Sequence, residues 1–302
     1  MSSPVSDTGS FSIFSVDVED GLNILMKDFF DIQILPTERV IRNVNCILDL
    51  CSAYDAKATF FILGEVAQTY PELVRTIAAG GHEIAVHGYN HDQIFRLSPA
   101  QFKNNLLRAK SLIEGITGEK VRGFRAPAFS IDLSTAWALE IISELGFEYD
   151  SSIMPSKTGR YGWPGFNRDI VRLNLKNGNS LIEVPLSVID ILGKSIPACG
   201  GGYLRYLPYN FTRKAFMAIQ KDRPVVVYLH PYELDTKKYP YFFYEARSSV
   251  SIRKKLPLML YRFNKGSVKP KLQHLLEEFR FKPIMDIVSE IEKRGSMNTR
   301  YR

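Results

Sequence analysis

Cysteine is scarce in this chain: Cys46, Cys51 and Cys199 are the three thiols in 302 residues. Three so placed make no disulfide framework. Cys46 and Cys51 fall in a helical stretch as buried thiols, which suits a reducing cytoplasm. Long apolar runs are lacking too. The longest, such as Val225 to Leu229, are strand-length, far short of the roughly 20 residues that span a bilayer. The first ten residues are small and polar, without the basic start and apolar core of a secretory signal, so a cytoplasmic protein is expected. No internal repeat, low-complexity tract or domain linker stands out. Positive charge has no surplus before residue 245: residues 1–244 hold 25 Lys/Arg against 26 Asp/Glu, and residues 245–302 hold 14 against 6. The basic character therefore belongs to the last fifth of the chain. It points to an anionic partner there, or to a solvated face.

What is present is a short set of chemically pointed stretches. His87 and His91 are four residues apart, which on a helical turn lets both imidazoles reach one ion. Residues 83–86, just before them, read as a short buried strand. An acidic cluster, Asp17-Val-Glu19-Asp20, follows the apolar run 11–16. Two histidines with one carboxylate from this cluster make an open metal site with room for water.

Strand and helix signals alternate along the chain. Strands are expected at 11–17, 57–63, 83–87, 121–125 and 147–150. Helices are expected at 37–54, 65–79 with a restart at Pro71, 98–115 behind a Ser98 capping box, and 134–145. That rhythm predicts parallel strands with right-handed crossovers. Residues 151–179 read as a long loop over the site, 180–192 as strand and 200–205 as a tight glycine turn. A helix at 207–219 and a strand at 224–229 follow, then an aromatic and basic segment and helices at 271–279 and 284–293. Asp17, His87, Arg125 and His230 all fall at or just past a strand's carboxyl end, where parallel α/β folds build their sites.

Taken together, these motifs resemble the NodB-homology polysaccharide deacetylases. The resemblance rests on Ser15-Val-Asp17, Thr59-Phe-Phe61, Gly81-His-Glu-Ile84 leading into His87-x-x-x-His91, Arg125-Ala-Pro127 and Leu229-His-Pro231, in family order over about residues 11–235. Gly200-Gly-Gly-Tyr203, Leu207-Pro-Tyr209, His230-Pro-Tyr-Glu-Leu-Asp235 and residues 275–281 look like the subfamily of exosortase-associated exopolysaccharide loci. The family fold is an α/β architecture, an incomplete (β/α) barrel of about seven strands. Here it implies a barrel over 1–240 and a basic, helical C-terminal extension over 241–302.

The resemblance implies metal-dependent removal of N-acetyl groups from amino sugars of a bacterial polysaccharide or its lipid-linked precursor. A divalent metal, zinc first, would sit on His87, His91 and a carboxylate. The usual pair of adjacent Asp residues is absent, so the carboxylate is Glu19 by analogy with Asp-x-Asp members, with Asp20 second. Asp17 would be the general base, Arg125 its partner and His230 the general acid. Leu229 would line the acetyl pocket. Tyr89, Trp163 and Tyr232 would offer rings to the sugar, Trp163 standing in for the family's tryptophan motif. Hydrolysis of a small cyclic amide or ureide on the same barrel, or an inactive carbohydrate-binding relative, are the alternatives. A carbohydrate partner is expected and a nucleic acid is not. Residues 253–263, basic then apolar, suit peripheral contact with the inner membrane's cytoplasmic face.

Overall fold

A computed structural model of the protein describes residues 11–157, 162–249, 258–295 and 297–301. Its strands are β1 (Ser12–Val18), β2 (Thr59–Ile62), β3 (Glu83–Val86), β4 (Gly123–Phe124), β5 (Tyr149–Asp150), β6 (Val171–Asn174), β7 (Ser180–Glu183), β8 (Val188–Ile191), β9 (Lys194–Pro197), β10 (Val226–Leu229), β11 (Phe281–Lys282) and β12 (Asn298–Tyr301). Parallel pairing runs in the order β10, β1, β2, β3, β4, β5, β7, which supplies the seven strands expected. β6 then adds antiparallel to β7, and β12 lies on β6. β7 and β10 do not pair. Residues 184–200 cross the gap between them, with Val226 N–H donating to Ser187 Oγ at 2.8 Å and Tyr228 N–H to the Cys199 carbonyl at 3.3 Å. The sheet is thus an incomplete barrel.

Helices α1 (Gly21–Phe30), α2 (Arg39–Ala53), α3 (Gly64–Thr69), α4 (Pro71–Ala79), α5 (Pro99–Thr117) and α6 (Trp137–Glu144) follow the first strands. Helical spacing puts Val40, Val44 and Ile47 of α2 and Phe102, Leu106 and Ala109 of α5 on one face each, buried against the sheet. The Ser98 capping box of α5 forms as its sequence predicts and contributes about 1 kcal/mol. Strand alternation divides β1 and β10 between two cores. Phe14, Val16, Val227 and Leu229 face the helices, whereas Ile13, Val226 and Tyr228 face the barrel interior. The amino-terminal mouth of that interior is filled by Ile284, Ile287 and Val288 of the helix Ile284–Lys293. Ahead of it, β11 pairs with the start of β1, and Ile284 N–H donates to Thr59 Oγ at 2.8 Å. Residues beyond 240 therefore complete the barrel as well as extend it.

Four local expectations need correction. Residues 151–179 are not all loop, because β6 follows the glycine- and proline-rich part and pairs with β7. Residues 180–192 are not one strand: β7 stops at Glu183, and β8 pairs with β9 in a separate hairpin. Residues 200–205 form no simple turn. Gly201 takes a φ of 50°, and a helix runs Gly201–Tyr206. Residues 21–30, given no structure from the sequence, are α1, and 241–249 are helical too.

Candidate active site

Period-two alternation on β1 puts Ser15 and Asp17 on the interior face, at the strand's carboxyl half. Arg125, one residue past β4, reaches across to them and is fully buried. Its Nη1 donates to Asp17 Oδ1 and to Ser15 Oγ, both at 2.8 Å. Its Nε and Nη2 donate to the Ser151 carbonyl at 3.0 Å and the Ser151 hydroxyl at 2.9 Å. The guanidinium also lies 4.1 Å from the Phe61 ring centre. Such a pair holds its geometry because every neighbouring donor is satisfied. One Asp17 oxygen is thereby fixed, and Oδ2 is left facing His230.

His230 follows β10. Its Nε2 stands 3.7 Å from Asp17 Oδ2 and its Nδ1 3.6 Å from Glu233 Oε2. Glu233 is buried, accepts the His230 backbone N–H at 3.2 Å and lies 3.8 Å from Arg205 Nε. Burial works against a charged ring here, but Glu19, Glu233 and Asp17 outweigh it and raise His230 to about 9. Tyr232 stacks on the His230 ring at 4.9 Å, and Tyr261 stacks on Tyr232 at 4.8 Å. Gly21 makes room for this stack: a Cβ there would stand 2.3 Å from the Tyr261 hydroxyl.

On the other side of Asp17, Glu19 lies buried between two imidazoles. Its Oε1 is 2.9 Å from His87 Nε2 and 3.1 Å from His91 Nε2. Burial raises the Glu19 carboxyl, but the pull of His91 and His230 and hydrogen bonds from His87 and His91 overcome it and hold it well below the ordinary range. His87 Nδ1 donates to the Arg125 carbonyl at 2.9 Å, so an ion bound in place of the Nε2–Glu19 hydrogen bond would find the Nε2 lone pair free. The histidines do not converge from a helical turn, as their spacing predicts. They sit on a loop in which Gly88 (φ 80°) and His91 (φ 58°) are left-handed, a costly conformation for a histidine. Glu19, His87 and His91 offer ligand atoms all within 4.8 Å of one another. Two imidazoles and one carboxylate fit a divalent ion and leave a coordination position open. Asp20, the second acidic candidate, does not join them. It caps α1, taking the Leu22 N–H at 2.8 Å on one oxygen and the Thr37 N–H on the other.

The remaining candidates divide. Tyr232 is at the site. Leu229 is not on its face: alternation turns it into the helix-side core, and Tyr228 occupies the interior face beside His230, with ring centres 5.8 Å apart. Tyr89 packs between α3 and α5, its ring over the space left by Gly64 and 3.8 Å from the Arg108 guanidinium. Trp163 packs on Phe166 at 5.1 Å and against the helix-side core. Tyr228, Arg205, Tyr261 and Ser151 were given no site role by the motifs, whereas Glu233 was read as orienting His230. For Glu233 a signal existed, an acid three residues past a histidine at a strand end. For Arg205 and Tyr261 there was none.

Residues 36–149 match the family model described as polysaccharide deacetylase, and residues 151–289 match Domain of unknown function (DUF3473). The chain is similar to a peptidoglycan deacetylase-like protein of Gibberella zeae, at 36% identity over 45% of this chain and 40% of that one. It is similar to peptidoglycan-N-acetylglucosamine deacetylase of Bacillus cereus at 30% identity, over 53% of this chain and 52% of that one. The chain thus spans about half the length, or less, of these curated relatives. Its fold is that of a candidate polysaccharide deacetylase from Mycobacterium smegmatis, with a TM-score of 0.62 at 18% identity over 99% of this chain and 96% of that one. The chain is thus similar to polysaccharide deacetylases through residues 36–149, the stretch that carries the His87–His91 loop and Arg125.

Proposed function

We propose that the protein is a metal-dependent hydrolase that removes N-acetyl groups from amino-sugar units of a bacterial polysaccharide or its lipid-linked precursor. The observation that supports this is one buried carboxylate, Asp17, near both the Glu19, His87 and His91 cluster, which could hold an ion, and the His230 imidazole. A divalent ion on Glu19, His87 and His91, zinc by its donor set, would polarise the acetyl carbonyl and lower the pKa of a bound water. Asp17 Oδ2 then takes a proton, its other oxygen being held by Arg125. His230 gives a proton to the departing amine; its charged form is held by the surrounding carboxylates, and a cation on Glu19 would cancel that carboxylate's share. Glu233 and the Tyr232 ring fix the imidazole's orientation.

The test is acetate release from N-acetylglucosamine oligomers before and after chelation, beside metal content. Release should stop on chelation and return with added metal, and His87→Ala and His91→Ala should each lose the bound ion. Wild-type-like metal retention in both variants would remove the triad assignment. Hydrolysis of a cyclic ureide without acetate release would favour the small-amide alternative.

The likeness of the DUF3473 half to exosortase-associated proteins belongs to the same proposal, as does a place at the cytoplasmic face. No helix among the described residues is long and apolar enough to cross a membrane. Arg253, Lys254, Lys255, Leu256 and Pro257 lie outside the described residues. Met259, Leu260 and Phe263 are exposed, which supports a membrane-docking patch, while Leu258 turns inward. Sedimentation with anionic liposomes should occur at low salt and weaken when Arg253, Lys254 and Lys255 become Gln. Absence of binding at low salt removes this part of the proposal.

A further inference from the structure

A cavity of about 660 Å³ opens between residues 155–157 and 164–168 on one side and the β8–β9 hairpin on the other, within the range of ~300–1,000 Å³ usual for small-ligand pockets. Among the described residues three cationic side chains line it, Lys157, Arg168 and Lys194, and no carboxylate does. Arg168 is spoken for: it makes a bidentate pair with Asp190 at 2.8 and 2.7 Å and donates to Ser195 Oγ at 2.8 Å. Asp190 is pulled down to about 2 by those bonds, so this corner is locally neutral. Lys157 and Lys194 have no carboxylate within ion-pair distance among the described residues, and their charge is left over. Ser156, also on the wall, is 1% exposed, and its hydroxyl is buried without a hydrogen-bond partner. A buried, unsatisfied hydroxyl at a cavity wall is a cost that a ligand's acceptor would relieve. Phe166 and Tyr203 supply rings on the same walls, as sugar faces require.

The cavity is tied to the site through the chain and through packing. Ser156 follows β5 by six residues, past Ser151, which holds Arg125. Tyr203 follows Gly201, which packs closely on the ring of Tyr228, the neighbour of His230. One wall thus stems from the end of β5, beside the residue that holds Arg125, and the other packs on β10, the strand that leads to His230.

We infer that this cavity is a subsite for a sugar unit bearing an anionic group, next to the acetylated unit that is cut. The inference rests on the deacetylase proposal for what is cut, and adds that the substrate is acidic. The anion is either a uronate carboxylate within the polymer or a phosphate at its reducing end.

Three probes separate these: a neutral N-acetylglucosamine tetramer, an alternating glucuronate–N-acetylglucosamine tetramer, and a neutral tetramer with a reducing-end phosphate. Binding is read by calorimetry on Asp17→Asn protein, expected to turn over about 10² or more slower, and acetate release on the wild type. One anionic probe should bind about tenfold tighter than the neutral one, as two exposed ion pairs would give. In Lys157→Gln/Lys194→Gln protein that advantage should vanish while the neutral probe is unchanged. Equal binding of all three, or an equal loss for all three in the double variant, overturns the subsite. Anion-selective binding without acetate release from any probe would leave the subsite standing and overturn the deacetylase proposal instead.

Discussion

Asp17→Asn protein is expected to fold and hold its metal but to lose turnover by about 10² or more. The asparagine carbonyl can still accept from Arg125 Nη1, now 2.8 Å from Asp17 Oδ1, so the interior network survives in outline. What disappears is the proton acceptor at Oδ2. His230→Ala should lose turnover to a similar degree, since it removes the group that protonates the amine, and it should leave Glu19, His87 and His91 in place. Metal content, thermal midpoint and acetate release on each protein separate a chemical loss from a folding one. If Asp17→Asn turns over at a near-normal rate, the base is elsewhere, and the capping role of Asp20 makes it a poor replacement.

Arg125→Met should be the most destabilising change at the site. It leaves Asp17, 1% exposed, as a buried charge without its partner. Breaking a buried pair in this way costs ~3–5 kcal/mol. For a chain of this size that lowers the thermal midpoint by roughly 10 °C. Arg125→Lys keeps the charge but cannot serve Ser15, Asp17 and Ser151 from one planar fork, so it should fall between. The Asp17→Asn/Arg125→Met double variant should lose less than the two single losses combined, because the orphaned charge is gone. A single Arg125→Met loss under 1 kcal/mol would contradict the buried-pair reading.

The parallel barrel and ten of its first eleven strands and α-helices, all but α1, are legible in the sequence because they rest on local signals. Alternation of short apolar runs with 3.6-periodic ones gives β1 to β5 and α2 to α6, and Ser98 and Pro71 mark helix starts. Position at strand ends brings Asp17, Arg125, His87 and His230 to one place. Side-chain direction was harder to read. Leu229 and Tyr228 differ by one position, and that single step decides which faces His230 and which faces the helices. Tyr89 looked free beside the histidines because nothing local tells that Gly64, in another element, leaves space for its ring. The His87–His91 spacing suggested a helical turn, while left-handed residues achieve the same convergence on a loop. Asp20 was read as a ligand although it opens α1, a cap role that an aspartate before an apolar stretch also fits. Arg205 and Tyr261 reach the site through Glu233 and Tyr232, which lie far from them in sequence, so no short window contains them.

β1 has a bearing on how the protein is made. Its neighbours include β10 and β11, so Ile13 pairs with Val226 and Ser12 with Phe281. The ion-binding triad, in contrast, draws only on Glu19, His87 and His91. On the ribosome these three emerge well before His230, by an interval on the order of ten seconds at ordinary synthesis rates. The first strands and their ion site can therefore assemble while the proton donor is still unmade. Pairings of such long range also close slowly, since the loop entropy must be met before the contacts form. On the proposed roles, a nascent chain able to bind an ion would precede one able to hydrolyse, and the helix Ile284–Lys293, made later than His230, seals the barrel mouth.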